Sequence, residues 1–171
     1  VYLNNGKINP TMILIEESLF NKDICNSLVR LAIDNEQKAR PFRDIKVFDL
    51  KDVNHIFTKK LINYFSNFLG KRGIIAYPEK IEITIWEINS KQDMHFDGAR
   101  DTTNLTSITY LNDDYLGGET IFKNGIIVKP EIGKTVFFDG KKYLHGVSPI
   151  TKGKRYVLAI WYTSDLNSII I

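Results

Sequence analysis

Residues 81–97 read IEITIWEINSKQDMHFD, and the first part of this stretch has the pattern of a β-strand. Ile81, Ile83 and Ile85 alternate with other side chains, which is typical of a strand with one face in a core. From here onward, short apolar runs are separated by turn residues such as Gly117-Gly118. Further strands are predicted at 105–112, 120–122, 125–128, 134–138 and 155–163. Six or more short strands after helices indicate a mainly β fold with some α, a sandwich or jelly roll backed by helices.

Two amphipathic helices are predicted before this stretch. Residues 21–35 place Ile24, Leu28 and Leu31 on one helical face. The apolar stripe of a second helix, at 52–69, consists of Val53, Phe57, Leu61, Tyr64, Phe65 and Phe68. Residues 40–50 lie between the helices and contain a proline and mixed charges, so we interpret them as a loop or a loose hairpin. Because each helix has a single apolar stripe, the helices are expected to cover the outer face of one sheet.

The composition fits one ordinary globular domain. The chain has 171 residues, of which 43% are hydrophobic and 25% are charged, a mix that is common in globular proteins. A single domain over residues 1–171 is therefore predicted. Its helical support is expected at about 16–70 and its jelly-roll core at about 80–165.

Charge, hydropathy and cysteine content argue against several partners and sites. Lys and Arg number 23 against 20 Asp and Glu, and no basic stacking groove is visible, so no nucleic-acid partner is expected. No apolar run approaches the roughly 20 residues of a membrane span, so no membrane partner is expected either. Cys25 is the only cysteine, which excludes an internal disulfide and fits a reducing compartment, and a cytoplasmic location is predicted. Since the chain begins at Val1 and not at Met, prior removal of a leader or anchor stays open. The sequence does not predict the oligomeric state.

Two of the three histidines stand in a pattern that suggests a metal site. His95 and Asp97 are two residues apart, so in an extended segment their side chains project to the same side. With the distal His145 they would supply two nitrogens and one oxygen. This donor set is the facial triad of non-haem Fe(II) oxygenases, which leaves metal positions open for substrate and oxygen. The alternative is a hydrogen-bonded His–Asp pair on a surface strand, and His55 is interpreted as a surface histidine of the second helix.

Arg155 opens the predicted strand at 155–163. A period of two puts Arg155 on one face with Val157, Ala159 and Trp161. A lone arginine among apolar residues is costly to bury unless it meets an anion, and its planar fork suits a carboxylate. Tyr110 ends another predicted strand, and its hydroxyl would give a second hydrogen bond to the same carboxylate. The alternatives are an arginine that reaches water at the strand end and a tyrosine packed in the core.

From Trp86 to Trp161 the chain resembles the 2-oxoglutarate/Fe(II)-dependent dioxygenases of the prolyl 4-hydroxylase type. The matching residues are Met94-His95-Phe96-Asp97, Ile108-Thr109-Tyr110-Leu111-Asn112-Asp113-Asp114, Gly117-Gly118-Glu119-Thr120, Lys129-Pro130, Gly133, Phe137-Phe138, His145-Gly146-Val147-Ser148-Pro149 and Gly153-Lys154-Arg155-Tyr156. Their order and spacing make the joint pattern highly specific. The resemblance implies a double-stranded β-helix, which is a jelly roll.

The resemblance also implies a role for each site residue. His95, Asp97 and His145 would hold Fe(II), with Arg155 paired to the distal carboxylate of 2-oxoglutarate and Tyr110 hydrogen-bonded there. Trp86 stands where the family commonly has a tyrosine that faces cosubstrate and substrate. It is therefore expected in the cosubstrate pocket, and plain core packing is the alternative. O2 is the further cosubstrate, and ascorbate is expected as a reductant.

The predicted function is hydroxylation of a C–H bond, first of all of proline in a protein or peptide, with decarboxylation of 2-oxoglutarate to succinate and CO2. Gln92, like Trp86, replaces a common family tyrosine, which keeps a free amino acid or other small metabolite open as substrate. A jelly-roll binding module without catalysis is the second alternative. Arg43 and Arg100 are expected to flank the mouth of the barrel and to meet a substrate carboxylate or peptide carbonyl, with solvated loop arginines as the alternative.

Overall fold

The computed structural model describes residues 13–97 and 103–168. The helices of these ranges are α1 (Lys22–Asp34) and α2 (His55–Gly70). The strands are β1 (Ile13–Glu16), β2 (Arg40–Phe42), β3 (Ile45–Asp49), β4 (Tyr77–Trp86), β5 (Gln92–His95), β6 (Thr103–Tyr110), β7 (Leu116–Gly117), β8 (Thr120–Phe122), β9 (Ile127–Val128), β10 (Thr135–Phe138), β11 (His145–Val147), β12 (Ile150–Lys152) and β13 (Arg155–Thr163). Within the described ranges, neither helix is long and apolar enough to cross a membrane.

Side-chain caps explain where both helices begin. Asn21 accepts a hydrogen bond from the backbone N–H of Ile24 at 2.9 Å, so α1 starts where the sequence predicts it. Asn54 likewise accepts from the N–H of Phe57 at 3.0 Å, and α2 starts at the next residue, His55. The predicted start at 52 is therefore too early, because residues 50–52 form a separate 3₁₀ turn.

Two antiparallel sheets form the centre of the fold. The larger has the strand order β1-β10-β6-β13-β4-β3-β2, and the smaller has the order β5-β11-β8-β9, with β12 and β7 as a separate pair. On the inner side, Tyr110, Phe138 and Val157 of the large sheet pack against Phe122 and Val128 of the small one. Two facing antiparallel sheets of this kind confirm the predicted double-stranded β-helix.

The helices pack on the outer face of the large sheet, as predicted. One apolar cluster joins Leu28 of α1 and Phe65 of α2 with Ile83, Leu158 and Ile160 of the sheet. The alternate residues of β13 face the other way, so this strand has a helix-covered side and an inner side.

Residues 40–50 form a hairpin and not a loop. Strands β2 and β3 pair with each other, and β3 also pairs with β4, with Ile45 opposite Trp86. The sequence allows the hairpin but does not reveal that it extends the large sheet, since β3 has only five residues and its two faces are both partly buried. The hairpin thereby forms one wall of the interior between the sheets.

Phe65→Ala is expected to lower the free energy of unfolding by about 3–5 kcal/mol, because a large side chain is removed from a packed core. Phe65 is fully buried and contacts the rings of Phe20, Phe137 and Tyr162. Ile56→Ala on the same helix is the control, since Ile56 is 70% exposed and its loss should cost less than about 0.5 kcal/mol. Urea denaturation measures both, and equal losses would contradict the packing of α2 on the sheet.

Candidate active site

The pairing of two short strands brings the predicted metal ligands together. His95 ends β5, His145 begins β11, and the two are direct partners in the register of the small sheet. Asp97 follows β5 by two residues, and its backbone N–H donates to the carbonyl of Gly140 at 2.9 Å. One ligand atom from each of the three side chains lies within 4.8 Å of the others. The spacing His95-x-Asp97 thus converges with a distant histidine, as the sequence predicts.

Backbone carbonyls orient both imidazole rings. Nδ1 of His95 lies 2.9 Å from the carbonyl oxygen of Asp93, and Nδ1 of His145 lies 2.9 Å from that of Tyr143. A carbonyl oxygen only accepts, so each Nδ1 carries the proton and each Nε2 has a free lone pair. The Nε2 atoms lie 3.6 Å and 3.8 Å from Oδ1 of Asp97. All three lone-pair donors therefore face one point.

The protonation states of Asp97 and His145 suit a divalent cation. Burial favours the protonated form of Asp97, but the histidine contacts and a hydrogen bond from Thr106 outweigh it and hold the pKa of Asp97 below its usual value. Burial lowers the pKa of His145. Burial acts in the same direction on His95, but the contacts with Asp97 and with the Asp93 carbonyl leave the pKa of His95 raised. At neutral pH Asp97 is a carboxylate and His145 a neutral imidazole, the forms that bind metal.

Thr106 orients the carboxylate and was not singled out from the sequence. Its hydroxyl donates to Oδ2 of Asp97 at 2.7 Å, which leaves Oδ1 directed toward the histidines. Thr106 lies on β6 four residues before Tyr110, on the same inner face of the strand. The inward-facing residues of β6, followed back from Tyr110 in steps of two, would have identified Thr106 in the sequence.

Arg155 is buried beside the metal-ligand cluster without a partner. The residue is 1% exposed, and its Nε and Nη2 atoms make no hydrogen bond to any of the described residues. Its guanidinium carbon lies 4.7 Å from the ring centroid of Trp86 and 5.3 Å from that of Tyr110. Burial rules out the alternative of an arginine that reaches water. A buried, unpaired guanidinium indicates a place for an anion.

The two predicted aromatic neighbours of Arg155 differ in what their polar atoms do. The Trp86 indole N–H donates to the Thr84 hydroxyl at 2.9 Å, while the Trp86 ring lines the cavity. The Tyr110 hydroxyl is 2.6 Å from the Thr120 hydroxyl and donates to the Val128 carbonyl at 3.2 Å. The Tyr110 ring lies beside Arg155 but is not part of the cavity lining, so its bond to a cosubstrate stays a prediction.

One cavity connects these groups. The space free of protein atoms in this cavity and at its mouth is about 560 Å³, part of it open to solvent. Its lining includes Trp86, His95, Asp97, Thr106, His145 and Arg155, and also Phe42, Glu82 and Trp161. Glu82 is buried and pairs with Arg40 and Lys80, each at 2.8 Å. The cavity thus offers a metal-ligand cluster, a buried cation and aromatic walls.

Of the other basic and imidazole residues singled out in the sequence, Arg43 and His55 do not line this cavity. Arg43 is exposed, stacks over Phe42 at 5.4 Å and lines a neighbouring surface depression with His95. Arg100 lies outside the described residues. His55 is exposed on α2, as predicted for a surface histidine.

Comparison with known proteins identifies the family. The model of the 2OG-Fe(II) oxygenase superfamily matches residues 81–163, which span β4 to β13 and contain the metal-ligand cluster and Arg155. Residues 81–163 belong to the 2OG-Fe(II) oxygenase superfamily. The match confirms the resemblance predicted from the motifs, and members of this superfamily use Fe(II), 2-oxoglutarate and O2.

Prolyl 3-hydroxylases are among the curated relatives in the superfamily. Prolyl 3-hydroxylase 2 of Rattus norvegicus is 36% identical over 147 residues, which cover 75% of this chain and 21% of the relative. Prolyl 3-hydroxylase 2 of Homo sapiens is 39% identical over 67 residues, covering 35% of this chain and 10% of the relative. The chain therefore spans only about a fifth or less of these relatives.

Prolyl hydroxylases of solved structure share the fold. The viral collagen prolyl hydroxylase of Paramecium Bursaria Chlorella virus-1, solved as a 2OG complex, has a TM-score of 0.73 at 18% identity and covers 90% of this chain and 96% of its own. The prolyl hydroxylase of Trichoplax adhaerens, in complex with a hypoxia inducible factor peptide fragment, has a TM-score of 0.72 at 16% identity and covers 89% and 83%. These superfamily members establish the fold of this chain as that of prolyl hydroxylases.

Thr106→Val is expected to weaken Mn²⁺ binding about 10- to 100-fold, because losses of this size follow when the support of a ligating carboxylate is removed. Calorimetric titration of Mn²⁺ measures the affinity. Thr109→Val is the control, since Thr109 lies on the opposite face of β6 and bonds to the Thr135 hydroxyl at 2.8 Å. It should leave Mn²⁺ affinity unchanged, and an unchanged affinity in Thr106→Val would contradict the role of Thr106.

Proposed function

We propose that this chain is a 2-oxoglutarate/Fe(II)-dependent dioxygenase domain that hydroxylates proline in a protein or peptide. One observation carries the proposal: a single cavity holds both the cluster of His95, Asp97 and His145 and the buried, unpaired guanidinium of Arg155. A metal-ligand set and an anion site in one cavity match what the keto acid cosubstrate of this superfamily requires.

The three-residue cluster fits Fe(II). Two imidazole nitrogens and one carboxylate oxygen are the donor set of non-haem iron oxygenases, and such a set leaves positions open for other ligands. Bound Fe(II) and O2 supply the oxidation in which 2-oxoglutarate is decarboxylated to succinate and CO2 and a C–H bond is hydroxylated. The chain holds His95 and His145 through carbonyl oxygens and Asp97 through Thr106, so the donors are arranged before the metal arrives.

Arg155 fits the distal carboxylate of 2-oxoglutarate. Its unpaired N–H groups form a planar fork that matches two carboxylate oxygens, and the surrounding aromatic rings exclude water from the pair. Trp86 supplies one wall of this pocket and fixes its own ring through the bond to Thr84. In this role Arg155 and the walls orient the cosubstrate, while the reacting end lies toward the three metal ligands.

Proline in a protein or peptide is the proposed substrate because the relatives include prolyl 3-hydroxylases and the fold neighbours include prolyl hydroxylases, one of them bound to a peptide fragment. The cavity lining supports this choice. Phe42 is 43% exposed, and Phe42 and Trp161 both line the cavity, where an aromatic face would pack against a pyrrolidine ring. We include ascorbate in the proposed reaction as the reductant.

A turnover assay with mass-spectrometric detection tests the proposal. The protein is incubated with Fe(II), ascorbate, 2-oxoglutarate and a pool of proline-containing peptides, and succinate is counted alongside. We expect succinate together with peptides that gain one oxygen atom. Succinate with every peptide unchanged would overturn the peptide substrate and point to a small metabolite.

Asp97→Ala in the same assay is expected to reduce turnover to background, because the only carboxylate of the cluster is lost. Asp52→Ala removes an exposed carboxylate just before α2 and serves as the control, with activity expected to equal the wild type. Full activity in Asp97→Ala would contradict the assignment of the metal ligands.

A further inference from the structure

Tyr115 places a second polar group beside Arg155 that the described residues leave without an acceptor. Tyr115 lies just before β7 and is 6% exposed, and its hydroxyl is buried beside the Arg155 guanidinium and donates no hydrogen bond to any of the described residues. A side-chain carbon built at Gly118 would lie 2.9 Å from both a ring carbon of Tyr115 and the Cδ of Arg155. The two side chains therefore flank the same point, and glycine at 118 allows them to approach it.

Most of the buried polar atoms that lack a partner belong to these two side chains. In the described ranges, five buried side-chain atoms have no hydrogen-bond partner, and three of them are the Tyr115 hydroxyl and Nε and Nη2 of Arg155. Buried donors without acceptors are costly and rare, so a group of three indicates a missing acceptor. All three can donate, and Arg155 is a cation, so an anion is the acceptor that suits them best.

Packing alone does not explain the hydroxyl of Tyr115. Its ring belongs to an apolar cluster with Trp86, Ile45, Val47, Val147 and Ile150. Phenylalanine would fill this space equally well and would leave no buried hydroxyl unsatisfied. Burial raises the pKa of Tyr115, so the hydroxyl keeps its proton and acts as a donor.

We propose that the Tyr115 hydroxyl donates a hydrogen bond to the distal carboxylate of 2-oxoglutarate, beside the guanidinium of Arg155. This inference rests on the proposed function. It separates the roles of the two tyrosines near Arg155, because the Tyr110 hydroxyl already bonds to Thr120 and Val128 while that of Tyr115, beside the guanidinium, has no acceptor among the described residues. Tyr115 thus contributes to cosubstrate selectivity, because it binds the carboxylate that is remote from the metal and favours keto acids that have one.

Tyr115→Phe tests the proposal through binding and stability. In Mn²⁺-loaded protein, calorimetry is expected to give about 10- to 100-fold weaker binding of 2-oxoglutarate, the loss expected for a hydrogen bond to a charged acceptor. Binding of 2-oxopentanoate, which has the same chain but no distal carboxylate, should be unchanged. Without ligand, the thermal midpoint of Tyr115→Phe should equal or exceed that of the wild type, because the variant loses an unsatisfied hydroxyl.

Tyr64→Phe is the matched control. The Tyr64 hydroxyl donates to the Leu19 carbonyl at 3.1 Å on the helical side of the sheet, so its loss should leave the binding of both keto acids unchanged. Equal 2-oxoglutarate affinity in Tyr115→Phe and wild type would overturn this inference alone. A lowered thermal midpoint together with weaker binding of both keto acids would also overturn this inference, since that pattern indicates a structural role for Tyr115. A wild type that binds no 2-oxoglutarate would instead overturn the proposed function.

Discussion

The pairing of β13 between β4 and β6 is the constraint on which the rest of the structure depends. Because its side chains alternate, one face of β13 packs on the helices and the other lines the cavity. The pairing of β13 with β4 sets Arg155 opposite Trp86, and its pairing with β6 sets Val157 opposite Tyr110. A shift of the register by one residue would exchange the two faces and remove the guanidinium from the cavity. The register of β13 therefore determines both the packing of the fold and the position of the anion site.

The cavity concentrates charge and hydrogen-bond donors that folding alone does not need. A buried guanidinium without a counter-ion and a buried phenol without an acceptor both lower the stability of the empty protein. The outer core, which includes Phe65 and Leu158, is apolar and well packed and offsets this cost. Stability therefore comes mainly from the helix-covered side of the sheet, and the inner side keeps polar groups ready for ligands.

The sequence predicts those features that depend on short-range pattern. His95-x-Asp97 and the alternation from Arg155 to Trp161 follow from a period of two, and the helix at 21–35 follows from its cap and apolar stripe. The role of Thr106 and the pairing of the β2–β3 hairpin with the large sheet were missed because both depend on partners distant in the chain: Thr106 bonds to Asp97, and β3 pairs with β4. The free hydroxyl of Tyr115 was likewise invisible, since only the packing shows which buried polar groups lack partners.

In the proposed reaction, the metal-ligand cluster and Arg155 bind one and the same keto acid. Calorimetric titration of 2-oxoglutarate into the wild type, with and without Mn²⁺, tests this shared binding. We expect Mn²⁺ to raise the affinity for 2-oxoglutarate at least about ten-fold, and 2-oxoglutarate to raise the affinity for Mn²⁺ by the same factor. Affinities that do not depend on each other would contradict shared binding, because the two sites would then hold unrelated ligands.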